Sequence, residues 1–257
     1  MLTIDLTGKV ALVIGGARGI GAGIVECLAR AGAAVVFTHT GNPRHAARLE
    51  ELLTRVRRDG ARVEAAAVDA TDAAASTALV DRIVQDHGRL DILVPNAGKN
   101  TERAAATLTD AQWRETLDIN LTSVFHGIRA ALPHMLRQKG GRIILIGSSA
   151  VVSGGGGAVD YAAAKAGLIG LMTYLCKTHA RDGILTNIVH PCVIETDLLR
   201  ERYPDAAARA KLIAGIPAGR LGQPRDIAGL VAYLASSWGD YICGQEILVD
   251  GGRTMFR

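Results

Sequence analysis

Aromatic side chains are scarce in this chain of 257 residues, at 4%, and its 29 Lys and Arg residues are scattered rather than clustered. Binding of single-stranded nucleic acid depends on aromatic side chains that stack on bases and on a continuous basic groove. The sequence therefore predicts no nucleic-acid partner. Its formal charge of +4 is interpreted as a solvated surface with, at most, some affinity for phosphorylated ligands.

Cysteine is also scarce: the chain has four, at positions 27, 176, 192 and 243, and no C-x-x-C motif. Cys27 and Cys176 lie within helical patterns, which predicts buried thiols in a reducing compartment rather than disulfides or metal ligands. The seven histidines form no ligand pair at helical spacing with an acid, so no metal site is predicted.

Long apolar runs are absent, and the N-terminus has no charged segment ahead of an apolar core. A membrane-spanning helix needs about 20 consecutive apolar residues. We therefore expect a cytoplasmic protein with no membrane partner.

Short apolar runs do occur, and they alternate with helical patterns along the whole chain. This alternation predicts an α/β fold, a single doubly wound Rossmann-type domain over residues 1–257 with a seven-stranded parallel sheet flanked by helices on both faces. A polar, Ala-rich stretch at about 196–215 predicts a small helical lid over the substrate. Pro133 is predicted to bend or end its helix. The predicted strands are residues 9–14, 34–38, 62–68, 90–95, 142–146, 184–189 and 246–249.

A glycine cluster separates the first strand from the first helix, with Gly15, Gly19 and Gly21 as its repeating positions. Glycine lets the backbone approach a phosphate, and the helix that follows offers unpaired N–H groups and a positive dipole end. Between a strand and a helix, this pattern predicts a dinucleotide site. The alternative is a glycine-rich turn with no ligand.

The second strand ends at His39 and Thr40 without an acid that could hold the ribose hydroxyls of NAD, while Arg18 lies in the glycine loop. This favours NADP(H), with NAD(H) possible; alternatively, His39 and Arg18 merely face solvent. Asp69, followed by Ala70, ends the third strand. Its carboxylate could accept a hydrogen bond from the adenine amino group or simply cap a turn.

Tyr161 and Lys165 are separated by four positions on a predicted helix, which places them on one face. A free tyrosine titrates near 10, and lowering its pKa by about three units takes ~4 kcal/mol. One ammonium at ~4 Å supplies ~4 kcal/mol at an effective dielectric constant of ~20. The pair is thus able to form a proton donor near neutral pH, but these two residues alone favour the alternative of an ordinary amphipathic helix. Asn120 lies inside another predicted helix, where asparagine is unfavourable, so it marks either a functional or kinked position or a solvent-facing one.

These motifs together resemble the short-chain dehydrogenase/reductase family over nearly the whole chain. Around the sequence DYAAAKAGLIG the chain is most similar to the 3-oxoacyl-(acyl-carrier-protein) reductases of that family. The matching positions are Gly15-x-x-x-Gly19-x-Gly21, Asp69, Asn96-Ala97-Gly98, Asn120, Ser148, Tyr161-x-x-x-Lys165 and Pro191 to Thr196.

The resemblance implies a set of roles. Tyr161 would exchange a proton with the substrate oxygen, Lys165 would lower the Tyr161 pKa and hold the nicotinamide ribose, Ser148 would hydrogen-bond the substrate oxygen, and Asn120 would position a water. The helices that carry Asn120 and Tyr161 form dimer interfaces in the family, so we expect a homotetramer. The implied cofactor-binding residues are Gly15, Arg18, Gly19, Ile20, Gly21, His39, Thr40, Asp69, Ala70, Asn96, Ala97, Gly98, Tyr161, Lys165, Pro191, Ile194 and Thr196.

The chain also departs from the family pattern. Ile14 and Ala17 replace a usual Thr and Ser, Cys192 replaces a usual Gly, and Cys243 replaces a usual Thr. Of the two basic positions at which the acyl carrier protein docks in these reductases, Lys139 fills one and the acidic Asp182 occupies the other. An acid there would repel an acidic partner, which disfavours a carrier-bound substrate.

The expected activity is NADP-dependent interconversion of a carbonyl and a secondary alcohol, with a 3-oxoacyl thioester as the first candidate substrate and a sugar, polyol or other small alcohol as the alternative. A non-catalytic scaffold that binds NADP(H) is a rival of another class. The presence of Asn120, Ser148, Tyr161 and Lys165 together argues against that rival, because a pure binding protein has no need of all four.

Overall fold

The computed structural model of the protein describes residues 3–58 and 60–254; the predicted domain 1–257 also includes residues 1, 2, 59 and 255–257, which lie outside the described part. The strands are β1 (Val10–Ile14), β2 (Ala34–His39), β3 (Val63–Ala67), β4 (Ile92–Pro95), β5 (Gly141–Ile146), β6 (Ile184–Pro191) and β7 (Glu246–Val249). The helices are α1 (Gly19–Arg30), α2 (Ala46–Arg58), α3 (Ala73–His87), α4 (Asp110–Leu117), α5 (Ser123–Arg137), α6 (Ala150–Ser153), α7 (Val159–His179), α8 (Asp197–Arg202), α9 (Ala206–Ala214) and α10 (Pro224–Ala235).

The described strands form a seven-stranded sheet in the order β3-β2-β1-β4-β5-β6-β7, and every neighbouring pair is parallel. The chain moves outward from β1 to β3 and then crosses back to β4 on the other side of β1. The predicted doubly wound fold is therefore confirmed. The crossing places a crevice at the carboxyl ends of β1 and β4, where such folds bind their ligands.

Two hydrophobic cores cover the two faces of the sheet. Ala11 and Val13 of β1 pack with α1 and α10 on one face, and Leu12 packs with α3, α5 and α7 on the other. Successive side chains of a strand point to opposite faces, so a strand covered on both sides must be apolar throughout. This is why the strands appear in the sequence as unbroken apolar runs.

The helical segment over residues 110–137 differs from expectation at Pro133. A capping box between Thr109 and Gln112 begins it. Pro133, however, does not end the helix, because α5 continues to Arg137. Pro133 is exposed, so water can hydrogen-bond the carbonyl that its missing N–H leaves unpaired.

The four cysteines are free thiols, and all are partly exposed, so the prediction that Cys27 and Cys176 are buried is wrong. Cys176 on α7 also lies against Cys243, with 3.0 Å between their sulfur atoms. The contact joins residues 67 positions apart, which no local pattern could reveal.

No group of three or more His, Cys, Asp or Glu residues arranged to hold a metal ion occurs within the described residues. Within the same part of the chain, no helix is both long and apolar enough to cross a bilayer.

Candidate active site

The glycine loop after β1 is held from both sides by neighbouring strand ends. Thr38 at the end of β2 accepts the N–H of Gly15 through its hydroxyl at 2.9 Å. Asn96, directly after β4, donates its side-chain amide to the carbonyl of Gly15 at 2.7 Å. A Cβ atom on Gly15, whose φ is +81°, would lie 2.8 Å from the Cα atom of Ala97. A Cβ atom on Gly21 would lie 2.1 Å from the Gly15 carbonyl oxygen, so side chains at these positions would push the loop open.

The N-terminus of α1 follows the loop and suits an anion. Arg18, the N-cap residue, has extended backbone dihedrals and no capping hydrogen bond from its side chain, and the first turn contains no acid. The first N–H groups of the helix, at Gly19, Ile20 and Gly21, have no acceptor within the helix itself. Their partial positive charge suits a diphosphate. The loop and helix therefore fit a dinucleotide cofactor.

The end of β2 lies beside this loop, since Gly16 donates its N–H to the Thr38 carbonyl at 3.0 Å. His39 accepts the N–H of Gly41 through Nδ1 at 3.1 Å, and Thr40 is exposed. No acid occurs in the sequence from residue 38 to residue 48, whereas two arginines do. The segment after this strand end is therefore basic, although one of its arginines, Arg48, pairs with Asp197.

Asp69, after β3, makes local contacts that match the capping alternative. One of its carboxylate oxygens accepts hydrogen bonds from the N–H and the hydroxyl of Thr71, at 2.9 and 2.8 Å. Ala70 is buried next to it. A contact with adenine would use the other carboxylate oxygen, and it stays a prediction.

Asn120 lies in a π-helical turn over Asp118–Thr122 that joins α4 to α5, and its side chain is 0% exposed. Its side-chain oxygen accepts the Lys99 N–H at 3.2 Å, and its amide donates to the carbonyls of Lys99 and Thr116 at 2.9 and 3.0 Å. Such turns are rare and often mark functional sites. The misfit of asparagine in a helix thus reflects an irregular turn, and the solvent-facing alternative is wrong.

The segment Asn96-Ala97-Gly98 runs between Asn120 and helix α7. A Cβ atom on Gly98 would lie 2.8 Å from the side-chain oxygen of Asn120 and 3.6 Å from Nζ of Lys165. Asn120 and Lys165, 45 positions apart in the sequence, therefore approach the same short stretch of backbone.

Ser148, Tyr161 and Lys165 come together at the carboxyl end of β5. The Ser148 side chain lies close enough to the Tyr161 hydroxyl to lower its pKa. Lys165, 3% exposed, donates from Nζ to the Ile146 carbonyl at 2.9 Å, and the same Nζ lies 5.9 Å from the centre of the Tyr161 ring. A phenol, a hydroxyl and an ammonium are thus grouped beside the loop that fits a dinucleotide.

The pKa of Tyr161 moves opposite to the direction that the sequence predicts. Burial raises the pKa of the Tyr161 hydroxyl above its ordinary value, and the nearby Ser148 side chain only partly opposes this. Burial also lowers the pKa of Lys165 from 10.5 to about 8. The sequence argument counted the attraction between the two groups and omitted the cost of burying each. In the cofactor-free protein Tyr161 is consequently protonated at neutral pH, as a proton donor must be.

Replacing Lys165 with methionine is expected to raise the free energy of unfolding at pH 7 by about 2 kcal/mol. The shift of the Lys165 pKa from 10.5 to about 8 corresponds to a burial penalty of ~3 kcal/mol, and losing the bond to Ile146 gives back about 1 kcal/mol. Between about pH 8 and pH 10.5, the folded and unfolded pKa values of Lys165, the unfolded chain binds more protons than the folded one. The stability of the wild type therefore rises with pH in this range. The advantage of the variant is full below about pH 7 and shrinks as the pH rises. Near pH 10.5 the burial penalty is almost gone, and the lost bond to Ile146 leaves the variant slightly less stable than wild type.

Urea denaturation at pH 7 and at pH 10.5 measures this difference. Lys177→Met, at an exposed position on the same helix, is the matched control and should change stability little at either pH. A Lys165→Met variant less stable than wild type at pH 7 would show that the buried ammonium is not a net cost.

The loop after β6 closes the site from the side opposite β4. Pro191 ends β6, Ile194 forms a bridge to Gly222, and Thr196 caps α8 by accepting the Leu199 N–H at 3.3 Å. A Cβ atom on Gly19 would lie 3.1 Å from the Thr196 side chain, so this loop reaches the glycine loop.

The loop contains one unusual backbone conformation. Val193 has a φ of +42°, and a β-branched residue adopts such an angle only under constraint. Val193 directly follows Cys192. The loop therefore carries strain immediately before Ile194.

A buried ion pair that the sequence did not predict supports the start of α7. Asp160 is 1% exposed; one of its oxygens accepts the Thr116 hydroxyl at 2.6 Å and faces Arg103 at 3.4 Å. Its other oxygen accepts the Tyr161 N–H at 2.9 Å. The network ties α4 and the segment after β4 to the residue before Tyr161. The acid next to Tyr161 in the sequence was the one available sign of this network. The residues that Asp160 contacts, Arg103 and Thr116, are far from it in the sequence.

The chain resembles known proteins over nearly its whole length. A family model described as enoyl-(acyl carrier protein) reductase matches residues 15–254. The chain is 40% identical over 252 residues to the 3-oxoacyl-(acyl-carrier-protein) reductase FabG of Escherichia coli (strain K12), which covers 98% of this chain and 100% of that protein.

Two solved structures extend the likeness to three dimensions. A short-chain dehydrogenase/reductase from Serratia marcescens BCRC 10948 is 38% identical with a TM-score of 0.89, covering 98% of this chain and 100% of the other. A dehydrogenase/reductase from Sinorhizobium meliloti 1021 is 37% identical with a TM-score of 0.88, covering 98% of both chains.

Proposed function

Since the chain belongs to the short-chain dehydrogenase/reductase family and is an NAD(P)-dependent oxidoreductase acting on CH–OH groups, we propose that it reduces 3-oxoacyl thioesters to 3-hydroxyacyl thioesters with NADPH. The observation that carries the proposal is the cluster of Ser148, Tyr161 and Lys165 beside the glycine loop. A non-catalytic scaffold is not proposed, because the family is one of enzymes.

The proposed chemistry divides the work between the cofactor and the chain. When bound, the nicotinamide supplies the hydride in reduction or accepts it in oxidation. Tyr161 gives its proton to the carbonyl oxygen, and Ser148 hydrogen-bonds the same oxygen. Lys165, as an ammonium below about pH 8, stabilises the phenolate that remains. Asn120 fixes the backbone at Lys99, next to the Gly98 position that Lys165 also approaches.

The proposed cofactor residues form two groups. The glycine loop and the first turn of α1 bind the phosphates, and the loops after β4 and β6 surround the nicotinamide. The first group is Gly15, Arg18, Gly19, Ile20 and Gly21, with His39, Thr40, Asp69 and Ala70 on the adenosine side. The second group is Asn96, Ala97, Gly98, Tyr161, Lys165, Pro191, Ile194 and Thr196.

A preference for NADP(H) over NAD(H) is supported by the arginines near the end of β2 and at the start of α1. Arg18 is exposed at the N-cap of α1, and the adjoining segment contains Arg44 but no acid. An acid there would repel a 2′-phosphate, whereas a guanidinium can bind it through charge-assisted hydrogen bonds.

Arg18→Ala is expected to weaken NADPH binding by about tenfold, the cost of one exposed charge-assisted hydrogen bond. NADH lacks the 2′-phosphate, and its binding to the same variant should change little, which makes it the internal control. Fluorescence titration of both nucleotides against wild type and variant measures the effect. Tighter binding of NADH than of NADPH by the wild type would contradict the proposed preference.

The substrate class is supported by the relative named a 3-oxoacyl-(acyl-carrier-protein) reductase. A carrier-bound form is disfavoured, because Asp182 pairs with His179 close to the turn that contains Lys139. We therefore propose a thioester that is free of carrier protein.

A spectrophotometric panel with NADPH tests the substrate. 3-Oxobutanoyl-coenzyme A should be reduced, while crotonyl-coenzyme A, which has a C=C bond and no 3-oxo group, should not. Turnover of sugars or polyols without turnover of the 3-oxo thioester would establish the alternative substrate class.

The remaining assignments are proposals as well. We propose a single domain with α8 and α9 as a lid, supported by Arg48 of α2 pairing with Asp197 and by Arg202 pairing with Glu102. Exposed apolar side chains on α4, α5 and α7, such as Trp113, Phe125 and Tyr174, support the homotetramer. The cytoplasmic location stays a prediction.

A further inference from the structure

His190 is a buried histidine beside the loop that carries Ser148, and it has no part in the proposed reaction. It lies at the end of β6 and is 1% exposed. Its Nδ1 accepts the backbone N–H of Ser148 at 3.0 Å, and its Nε2 lies 3.1 Å from a carboxylate oxygen of Glu246 on β7. The ring therefore connects a carboxylate at the sheet edge to the backbone of the catalytic serine.

The backbone around Ser148 explains why the imidazole is needed. Gly147 donates its N–H to the Val189 carbonyl at 2.8 Å, and Ser149 donates to the Pro191 carbonyl at 3.0 Å. The Ser148 N–H between them faces away from these carbonyls. It donates to the His190 ring instead of to a backbone carbonyl of a neighbouring strand. A partly buried N–H without an acceptor is costly, so the imidazole fixes the position of this residue.

Gly147 leaves the space that the ring occupies. A Cβ atom at this position would lie 2.4 Å from Nδ1 and 2.7 Å from Cε1 of His190. The φ of Gly147 is not in the left-handed region, so the backbone conformation alone does not demand glycine here. The glycine is needed because the imidazole lies against it.

The contacts also fix the protonation state of the ring. Because Nδ1 accepts an N–H, the proton of the neutral imidazole is on Nε2 and is donated to Glu246. The charged groups facing the ring are Glu246 on β7 and Lys165 on α7. Burial, reinforced by Lys165 and opposed by Glu246, lowers the pKa of His190 below 6.5. At neutral pH the ring is therefore an acceptor.

We propose that His190 is a positioning residue that holds Ser148 against Tyr161 through the bond from the Ser148 backbone to Nδ1, with Glu246 fixing the tautomer. The inference rests on the proposed function, which gives Ser148 its task. Protonation of the ring places a proton on Nδ1. This proton faces the Ser148 N–H, so Nδ1 can no longer accept the hydrogen bond and the bond breaks. Ser148 then moves out of reach of Tyr161 and turnover falls.

The pH profile of kcat tests the proposal. Wild-type kcat should fall on the acid side as His190 becomes protonated. His190→Asn places a side-chain oxygen, which does not titrate, near the position of Nδ1. It should keep kcat at pH 8 within about threefold and lose the acid-side decline. His190→Ala should lower kcat about tenfold at every pH, because the buried N–H loses its acceptor. Glu246→Gln should move the decline to lower pH, since the neutral amide no longer stabilises the imidazolium.

His179→Asn is the matched control, because His179 also pairs with a carboxylate, that of Asp182, but near the opposite end of β6. Its profile should follow that of wild type. An acid-side decline that is unchanged in His190→Asn, or full activity of His190→Ala at all pH values, overturns the proposal.

A second readout does not need activity. Because the folded pKa of His190 is lowered, the unfolded chain binds more protons as the pH falls below about 6.5, and the fold loses stability there. Thermal unfolding of the cofactor-free protein should show this loss in wild type and a smaller loss in His190→Asn. Equal losses in the two proteins count against the titrating bond. If the difference is present but no oxidoreductase activity is found, the proposed function fails while the contact stands.

Discussion

Tyr161→Phe is expected to lower kcat by about a thousandfold, because positioned proton transfer contributes ~10²- to 10⁴-fold to such reactions. The substitution removes only the hydroxyl, and the aromatic ring keeps its place on α7. Because the glycine loop and the N-terminus of α1 lie elsewhere, the dissociation constant for NADPH should stay within about threefold, a modest change on the scale of one exposed hydrogen bond. Steady-state kinetics and fluorescence titration on the same preparation separate the two effects.

Tyr241→Phe is the control for this experiment. The Tyr241 side chain is fully exposed and lies outside α7 and the other helices proposed as interfaces. Its variant should turn over as the wild type does. Full activity in Tyr161→Phe would remove the proposed proton donor, and loss of cofactor binding in that variant would show that the substitution disturbs more than the chemistry.

Gly21→Ala is expected to abolish cofactor binding and to lower the free energy of unfolding by about 3 kcal/mol, the upper range for overpacking of a tight site. The new Cβ atom would lie 2.1 Å from the Gly15 carbonyl oxygen and 2.7 Å from the Asn96 amide nitrogen. Neither neighbour can withdraw without breaking the hydrogen bond between Asn96 and Gly15 that shapes the loop. Urea denaturation and NADPH titration measure the two losses.

Gly229→Ala serves as the control, because Gly229 lies in α10 and a Cβ atom there would meet no heavy atom within 4 Å. Alanine in an open helical position should stabilise the protein by up to ~1 kcal/mol and leave cofactor binding unchanged. Wild-type affinity for NADPH in Gly21→Ala would contradict the loop geometry.

Local patterns were enough to predict the fold and some of the residues that the structure brings together. The unbroken apolar run of β1 reflects a strand buried on both faces, and the spacing of Gly15, Gly19 and Gly21 reflects a loop with no room for side chains. Tyr161 and Lys165 share one helix, so their spacing alone placed them together. Each of these features depends on residues close together in the sequence.

The features that sequence reasoning missed depend on contacts between distant elements. His190 reaches Ser148 across 42 positions, and Arg103 reaches Asp160 across 57. The predicted direction of the Tyr161 pKa shift was wrong for a related reason. Desolvation of a side chain depends on everything packed around it, which the spacing of two residues does not contain.

The central claim is that this chain delivers a hydride from NADPH to a carbonyl carbon while Tyr161 provides the proton. The most direct measurement uses NADPH carrying deuterium at the transferable position of nicotinamide C4, with 3-oxobutanoyl-coenzyme A, and mass spectrometry of the product. The account predicts one deuterium on C3 of the 3-hydroxybutanoyl product from wild type and almost no product from Tyr161→Phe. Product without deuterium, or labelled product formed equally well by Tyr161→Phe, would contradict it.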